Sequence, residues 1–123
     1  MADKQKHILV VEDEKPLSHA LELKLTKAGY TVMVAYNGRE GLDAIAANHF
    51  DAILLDLMMP VVDGFTVLEE LGKHPPIPPV IVLSNLAQRE DEQRSLALGA
   101  RKFFVKSDTP LAVIEAAVGE ILR

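Results

Sequence analysis

Short aliphatic runs alternate with longer amphipathic ones along the chain. His7-Ile8-Leu9-Val10-Val11 is a continuous run of the kind expected for a strand buried on both faces of a sheet, and it stops at charge. Pro16, Leu17, Ala20, Leu21, Leu25 and Ala28 then recur at helical spacing until Gly29, which suits a left-handed cap. Thr31 to Ala35 is β-branched and apolar, Asn37-Gly38 punctuates it, and Leu42, Ile45 and Ala46 carry the next helical stripe. Asp51 to Asp56 is a third buried run, ended by a turn-rich segment from Met59-Pro60 to Asp63-Gly64. A short helix with Phe65, Val67, Leu68 and Leu71 leads into His74-Pro75-Pro76-Ile77-Pro78-Pro79, which cannot be helix interior. Val80 to Leu83 reads as the fourth strand, Ala87 to Leu98 as a helix ending at Gly99, and Lys102 to Val105 as the fifth strand. Pro110 to Leu122 is the final helix, capped by Asp108 or Thr109 with Pro110 in its first turn.

Five strand-then-helix repeats with short links imply a parallel sheet covered by helices on both faces. One α/β sandwich then accounts for the whole chain, with no domain linker. Its 123 residues, 49% of them hydrophobic, suffice to bury a core without staples. The absence of cysteine removes disulfides, thiolate catalysis and cysteine-based zinc sites, and fits a reducing compartment. A net charge of −5 discourages binding to nucleic acid or anionic lipid through counterion release. The start, Met1 to Lys6, lacks a long apolar segment, and no stretch approaches the ~18 apolar residues of a membrane span, so a cytoplasmic location is expected.

In open parallel sheets the reactive cleft lies beyond the carboxyl ends of the strands. Strand one ends at Glu12-Asp13-Glu14, strand three at Asp56, strand four at Ser84 and strand five at Lys106. If those strands are neighbours, carboxylates, a hydroxyl and an ammonium converge on one pocket. Clustered carboxylates repel unless a cation neutralises them, and hard oxygen ligands with space for water suit magnesium. A carboxylate nucleophile, a metal seat, a fixed ammonium and a hydroxyl are the parts that move a phosphoryl group, so phosphoryl transfer to Asp56 is the economical reading. Such a modification adds roughly −1.5 to −2 charge and three strong acceptors, which a mobile hydroxyl and the ammonium could satisfy. The loop carrying Ser84 should then shift.

Four separated motifs, in order, give the sequence a family likeness: it resembles the receiver domain of bacterial two-component response regulators over essentially its whole length. Val10-Val11-Glu12-Asp13 resembles the family's acidic pair after strand one, and Leu55-Asp56-Leu57-Met58-Met59-Pro60-Val61-Val62-Asp63-Gly64 its acceptor-aspartate signature. Ser84 matches the hydroxyl position, and Lys106 the lysine after strand five, preceded by Gly99-Ala100. The resemblance implies a doubly wound (βα)5 flavodoxin-like sandwich whose five-stranded parallel sheet has the order 2-1-3-4-5. It implies that Asp56 accepts a phosphoryl group from a sensor histidine kinase, a phosphotransfer protein or a small phosphodonor. Asp13 and Asp56 would bind Mg2+ directly with the backbone carbonyl of Met58, and Glu12 largely through water. Lys106 would pair with the phosphoryl oxygens, and Ser84 would turn inward to hydrogen-bond them. Phe103 matches an aromatic switch position, and the face of the fourth helix, fifth strand and fifth helix becomes the readout surface. That surface would meet a downstream protein, an output domain in a longer parent, or a second copy in a phosphorylation-dependent homodimer, with no direct nucleic-acid or membrane contact. The protein would be a phosphoacceptor switch assisting its own phosphorylation and dephosphorylation, not an enzyme in the ordinary sense, and Met58 and Leu86 would influence the phosphoryl lifetime. The chain reads as a single receiver unit, residues 1–123, without an output domain, either stand-alone or cut from a larger regulator.

Two positions depart from the family pattern. Ser107 follows the lysine where proline with a cis peptide is usual; cis would cost ~2.5 to 4 kcal/mol here, which predicts a differently built loop. Asn85 replaces a small residue and could narrow access to Asp56 or hydrogen-bond the phosphoryl group. Taken singly, Glu12, Asp13 and Glu14 could be helix caps, Lys106 and Ser84 solvated surface groups, and Phe103 plain core. Met58 and Met59 read as packing residues. His7, His19, His49 and His74 lack ligand spacing, and Arg89-Glu90-Asp91-Glu92 reads as a solvated helix face. The alternative function is a phosphorylation-independent pseudo-receiver that docks proteins. A flavodoxin-like cofactor carrier or nucleotide enzyme would need a Ser/Thr/Gly-rich phosphate cradle after strand one, and the sequence has no G-x-x-x-x-G-K-[ST].

Overall fold

Apolar runs too short to be helices become strands, and the amphipathic stretches between them cover both faces of the sheet. A computed structural model of the chain describes residues 5–85 and 88–123; Met1 to Lys4, Leu86 and the expected helix start at Ala87 lie outside the described residues. The elements are β1 (His7–Val11), α1 (Lys15–Lys27), β2 (Thr31–Ala35), α2 (Gly38–Ala47), β3 (Ala52–Leu55), α3 (Gly64–Gly72), β4 (Val80–Ser84), α4 (Arg89–Ala97), β5 (Lys102–Val105), a 3-10 turn (Lys106–Asp108) and α5 (Leu111–Ile121). The sheet has the expected order β2-β1-β3-β4-β5, and every pairing is parallel.

Period-2 alternation splits the strand residues between two cores. Ile8, Val10, Leu54, Ile81 and Leu83 pack with Leu21 and Leu25 of α1 and Ile114, Ala117 and Val118 of α5. Leu9, Val11, Ile53, Leu55, Val80 and Val82 face Phe65, Leu68 and Leu71 of α3, with Leu42 and Ile45 of α2 against them. The central strands β3 and β4 are buried throughout, whereas edge strand β5 is half-buried at every position. Among the described residues no helix is long and apolar enough to cross a membrane.

Local chemistry sets the helix starts. Asn37 Oδ1 accepts from Glu40 N at 2.8 Å while Glu40 Oε1 accepts from Tyr36 N at 2.9 Å, a reciprocal arrangement close to a capping box. Asp63 Oδ1 caps α3 by accepting from Thr66 N at 2.8 Å. Gly29, at φ +103°, ends α1 as expected. The expected cap of α5 is corrected: neither Asp108 nor Thr109 fills it. Lys106–Asp108 coil into the 3-10 turn, Thr109 Oγ1 donates instead to the Val105 carbonyl at 2.7 Å, and Pro110 becomes the N-cap. The third strand is also shorter than its expected limits, because Asp51 and Asp56 flank β3 and turn their carboxylates to other tasks.

Candidate functional site

Register decides which side chains meet. Val11 pairs with Leu55 and Leu55 with Val82, so β1 and β3 end abreast while β4 runs on to Ser84, and Asp56 N donates to the Val11 carbonyl at 3.0 Å. The next residue out on β1 is Glu12 and on β3 Asp56, while Ser84 closes β4 opposite Val105, just before Lys106. Lys106 Nζ reaches back over this rim to lie 2.9 Å from Asp56 Oδ2, 2.8 Å from Glu14 Oε1, and 2.8 and 3.0 Å from the two Glu12 oxygens. Groups as far apart as 94 positions in sequence thus share one ammonium.

The segment after Asp56 is folded tightly onto it. Gly64 N donates to the Leu57 carbonyl at 2.9 Å, and a Cβ on Gly64 would overlap the Asp56 carbonyl oxygen, so the close approach of α3 to the strand end requires glycine. Met58 N donates to Asp56 Oδ1 at 3.2 Å, holding that carboxylate from the side opposite the lysine's oxygen. Between them Val61 adopts φ +70°, with Val62 N donating to the Pro60 carbonyl at 2.8 Å in a three-residue turn that a β-branched residue seldom makes.

Burial and charge work against each other here. Burial raises the Asp56 carboxyl above the ordinary aspartate value, against the opposing pull of Lys106. Burial likewise pushes Glu12 up to about 7 despite its bonds from Lys106 and the Glu14 amide. Burial also disfavours the Lys106 ammonium, but its hydrogen bonds to Glu12, Glu14 and Asp56 outweigh that and hold it above the ordinary lysine value. Carboxylates outnumber the ammonium, and a second cation would relieve the excess.

Oxygens of Glu12, Asp13 and Asp56 lie within 4.8 Å of one another. Glu12 Oε1 is buried and, although close to Lys106 Nζ, has no partner in hydrogen-bonding geometry. Hard oxygens, one of them orphaned, with Asp13 only half-buried so that water can complete the shell, fit a magnesium-sized divalent ion. An open cleft of about 470 Å3, lined by Asp13, Leu57, Met58, Met59, Pro60, Asp63 and Phe65, leads to the cluster. A larger groove of about 510 Å3 between α2 and α3 contains none of these acidic groups.

The structure brings together Glu12, Asp13, Asp56 and Lys106, with Ser84 fully buried at the adjacent strand end. Met58 is exposed beside the cluster, and Asn85 is exposed next to Ser84. Phe103 is half-buried in β5, in register with Val82 and packed against the α2–α3 core. Lys106–Ser107 is not a cis peptide; the chain enters the 3-10 turn there. His49 and Asp51 pair at 3.5 Å at the opposite, N-terminal end of the strands, away from the cluster. Sequence reasoning placed Glu14 beside the strand end without giving it a partner. Its partner lies 92 positions away, and no pattern in the sequence signals that pairing.

Comparison with known proteins bears on the family and the fold. The family profile described as the response regulator receiver domain matches residues 8–117. A probable transcriptional regulator, ycf27, of Cyanidium caldarium is 38% identical over 120 residues, covering 98% of this chain and 47% of that protein. The chain thus spans about half the length of such relatives. Among solved structures, the receiver domain of Francisella response regulator 1452 superimposes with a TM-score of 0.90 at 30% identity, covering 96% of this chain and 97% of that one. The response regulator TrrA of Thermotoga maritima, solved in complex with Mg(2+)-BeF, gives a TM-score of 0.85 at 30% identity, covering 96% of this chain and all of that one.

Proposed function

The chain belongs to the response regulator receiver domain family, and from that membership we propose that it accepts a phosphoryl group on Asp56 from a phosphohistidine of a sensor kinase or phosphotransfer protein. The single observation that carries this reading is Lys106 Nζ at 2.9 Å from Asp56 Oδ2, beside the acidic cluster of Glu12, Asp13 and Asp56. A carboxylate oxygen of Asp56 forms the new bond to phosphorus as the donor's P–N bond breaks, and the imidazole leaves with the electron pair. Lys106, 2.9 Å from Asp56 Oδ2, would neutralise phosphoryl oxygens during that transfer, and the buried Ser84 would approach them afterwards. Glu12, Asp13 and Asp56, with the Met58 carbonyl, would hold Mg2+, which when bound supplies charge neutralisation at the same oxygens. This makes the protein a phosphoacceptor switch, with the face of α4, β5 and α5 as the readout surface.

The test is incubation with acetyl phosphate and magnesium, read by intact mass. One added phosphoryl group is expected on the wild type, and none on Asp56→Asn or in the presence of a chelator. If neither acetyl phosphate nor a panel of phosphorylated histidine kinases modifies the wild type, the docking pseudo-receiver replaces this reading.

A further inference from the structure

Glu14 is the N-cap residue of α1, yet its side chain makes no capping hydrogen bond. Its Oε1 instead accepts from Lys106 Nζ at 2.8 Å. An ammonium has three N–H donors, and those of Lys106 go to Glu12, Glu14 and Asp56. A phosphoryl group turns the Asp56 carboxylate into an acyl phosphate and takes over the donor that Asp56 held, and for the ammonium to bond a second phosphoryl oxygen its bond to Glu12 or to Glu14 must be surrendered. The Glu12 side chain is 2% exposed and would be left as a buried carboxylate without its cation. The Glu14 side chain is 55% exposed, so water can replace the lysine there. Of the two, the bond to Glu14 is the cheaper to break.

We infer that Glu14 is a positioning residue that competes with the phosphoryl group for Lys106, and so sets how readily Asp56 is modified and how long the modification persists. The inference rests on the reading of Asp56 as acceptor. Glu14 touches neither the reacting oxygen nor phosphorus; the bond made and the bond broken are those already described. Its effect runs through the lysine, with a second, salt-sensitive part from its negative charge on the solvent side of that lysine, where an anionic donor must approach.

The experiment compares the wild type with Glu14→Gln and Glu14→Ala, and with Glu22→Gln, which removes an acidic residue of α1 that pairs with His19. Binding of beryllium fluoride with magnesium, followed by NMR titration, reads competition for Lys106 without any bond being made. An exposed ion pair contributes up to about 1 kcal/mol, so Glu14→Ala should tighten binding about two- to fivefold at low salt. Glu14→Gln should give a smaller gain, because its amide oxygen still accepts from the lysine. The difference from wild type should close at high salt, Glu22→Gln should match the wild type, and phosphorylation by acetyl phosphate should quicken in the same order. Loss of a merely structural contact would lower the thermal midpoint without tightening binding, and would overturn the inference. So would equal affinity in Glu14→Ala and a wild type that binds, while leaving Asp56 as acceptor intact. A wild type that neither binds beryllium fluoride nor takes up phosphate would overturn both.

Discussion

Val61 holds φ +70° in an exposed turn, a conformation that costs a β-branched residue about 1–2 kcal/mol and suits asparagine far better. Val61→Asn should therefore raise stability by about 1 kcal/mol, measured by urea denaturation; an unchanged or lower midpoint would show that the turn is not strained. Asp51 illustrates the opposite case, a residue well served by its fold. Its Oδ2 accepts from the His7 amide at 2.8 Å, and that bond, assisted by Lys6 and His49, holds its pKa below the ordinary aspartate value. A carboxyl depressed in the folded state contributes stability that is present above the unfolded pKa, about 3.9, and is lost as pH falls through the folded one. Asp51→Ala should cost about 1 kcal/mol at neutral pH. The gap from wild type should narrow as pH drops below about 4, as denaturation at several pH values would show. Residue chemistry was legible in sequence where it sat at strand ends, as with Glu12, Asp13, Asp56, Ser84 and Lys106. It was not legible where a partner lies 92 positions away, as for Glu14 and Lys106, or where a 3-10 turn displaced the expected cap of α5.

Elements differ in how firmly packing holds them. The strands β1, β3 and β4 are set by continuous apolar runs, and sequence located them to within a residue or two. α4 is another matter: among its described residues only Ser95 is buried, and Glu90, Asp91 and Glu92 crowd its first turn, as the charged run suggested. What ties it sideways is Arg94, whose guanidinium lies 4.0 Å from the centre of the Phe65 ring on α3 and 3.8 Å from Glu69. No periodicity argument could find that contact, since it joins an exposed cation to an aromatic residue of another helix. Because Gly64 and Phe65 lead α3 away from the Asp56 backbone, the contact also links α4 to the segment that carries Asp56. A cation–π contact at such a site contributes about 0.5–1 kcal/mol. Arg94→Ala should therefore speed amide hydrogen exchange in α4 about two- to fivefold, with little change in the β3 and β4 amides. Unchanged exchange in α4 would show that the contact does not hold the helix.

At the scale of the whole molecule, alternation of strand and helix already implied a parallel sheet covered on both sides, and the family resemblance supplied the strand order that the structure has. Order matters for function because only neighbouring strands can bring Glu12, Asp56, Ser84 and Lys106 to one rim. With β1, β3, β4 and β5 adjacent, the rim gathers acidic oxygens around a single ammonium and leaves Glu12 Oε1 without a hydrogen bond. Such a concentration of like charge is costly to hold unless it is used, and a cation together with a phosphoryl group is the occupant its chemistry fits. The most direct measurement is to locate the modified side chain. After reaction with acetyl phosphate and magnesium, borohydride reduces an acyl phosphate to the alcohol, which would convert Asp56 to homoserine, and tandem mass spectrometry of the digest reads the position. Reduction at residue 56 and nowhere else is the predicted result. A phosphoryl group mapped to another residue, or a wild-type protein that no donor modifies, would contradict it.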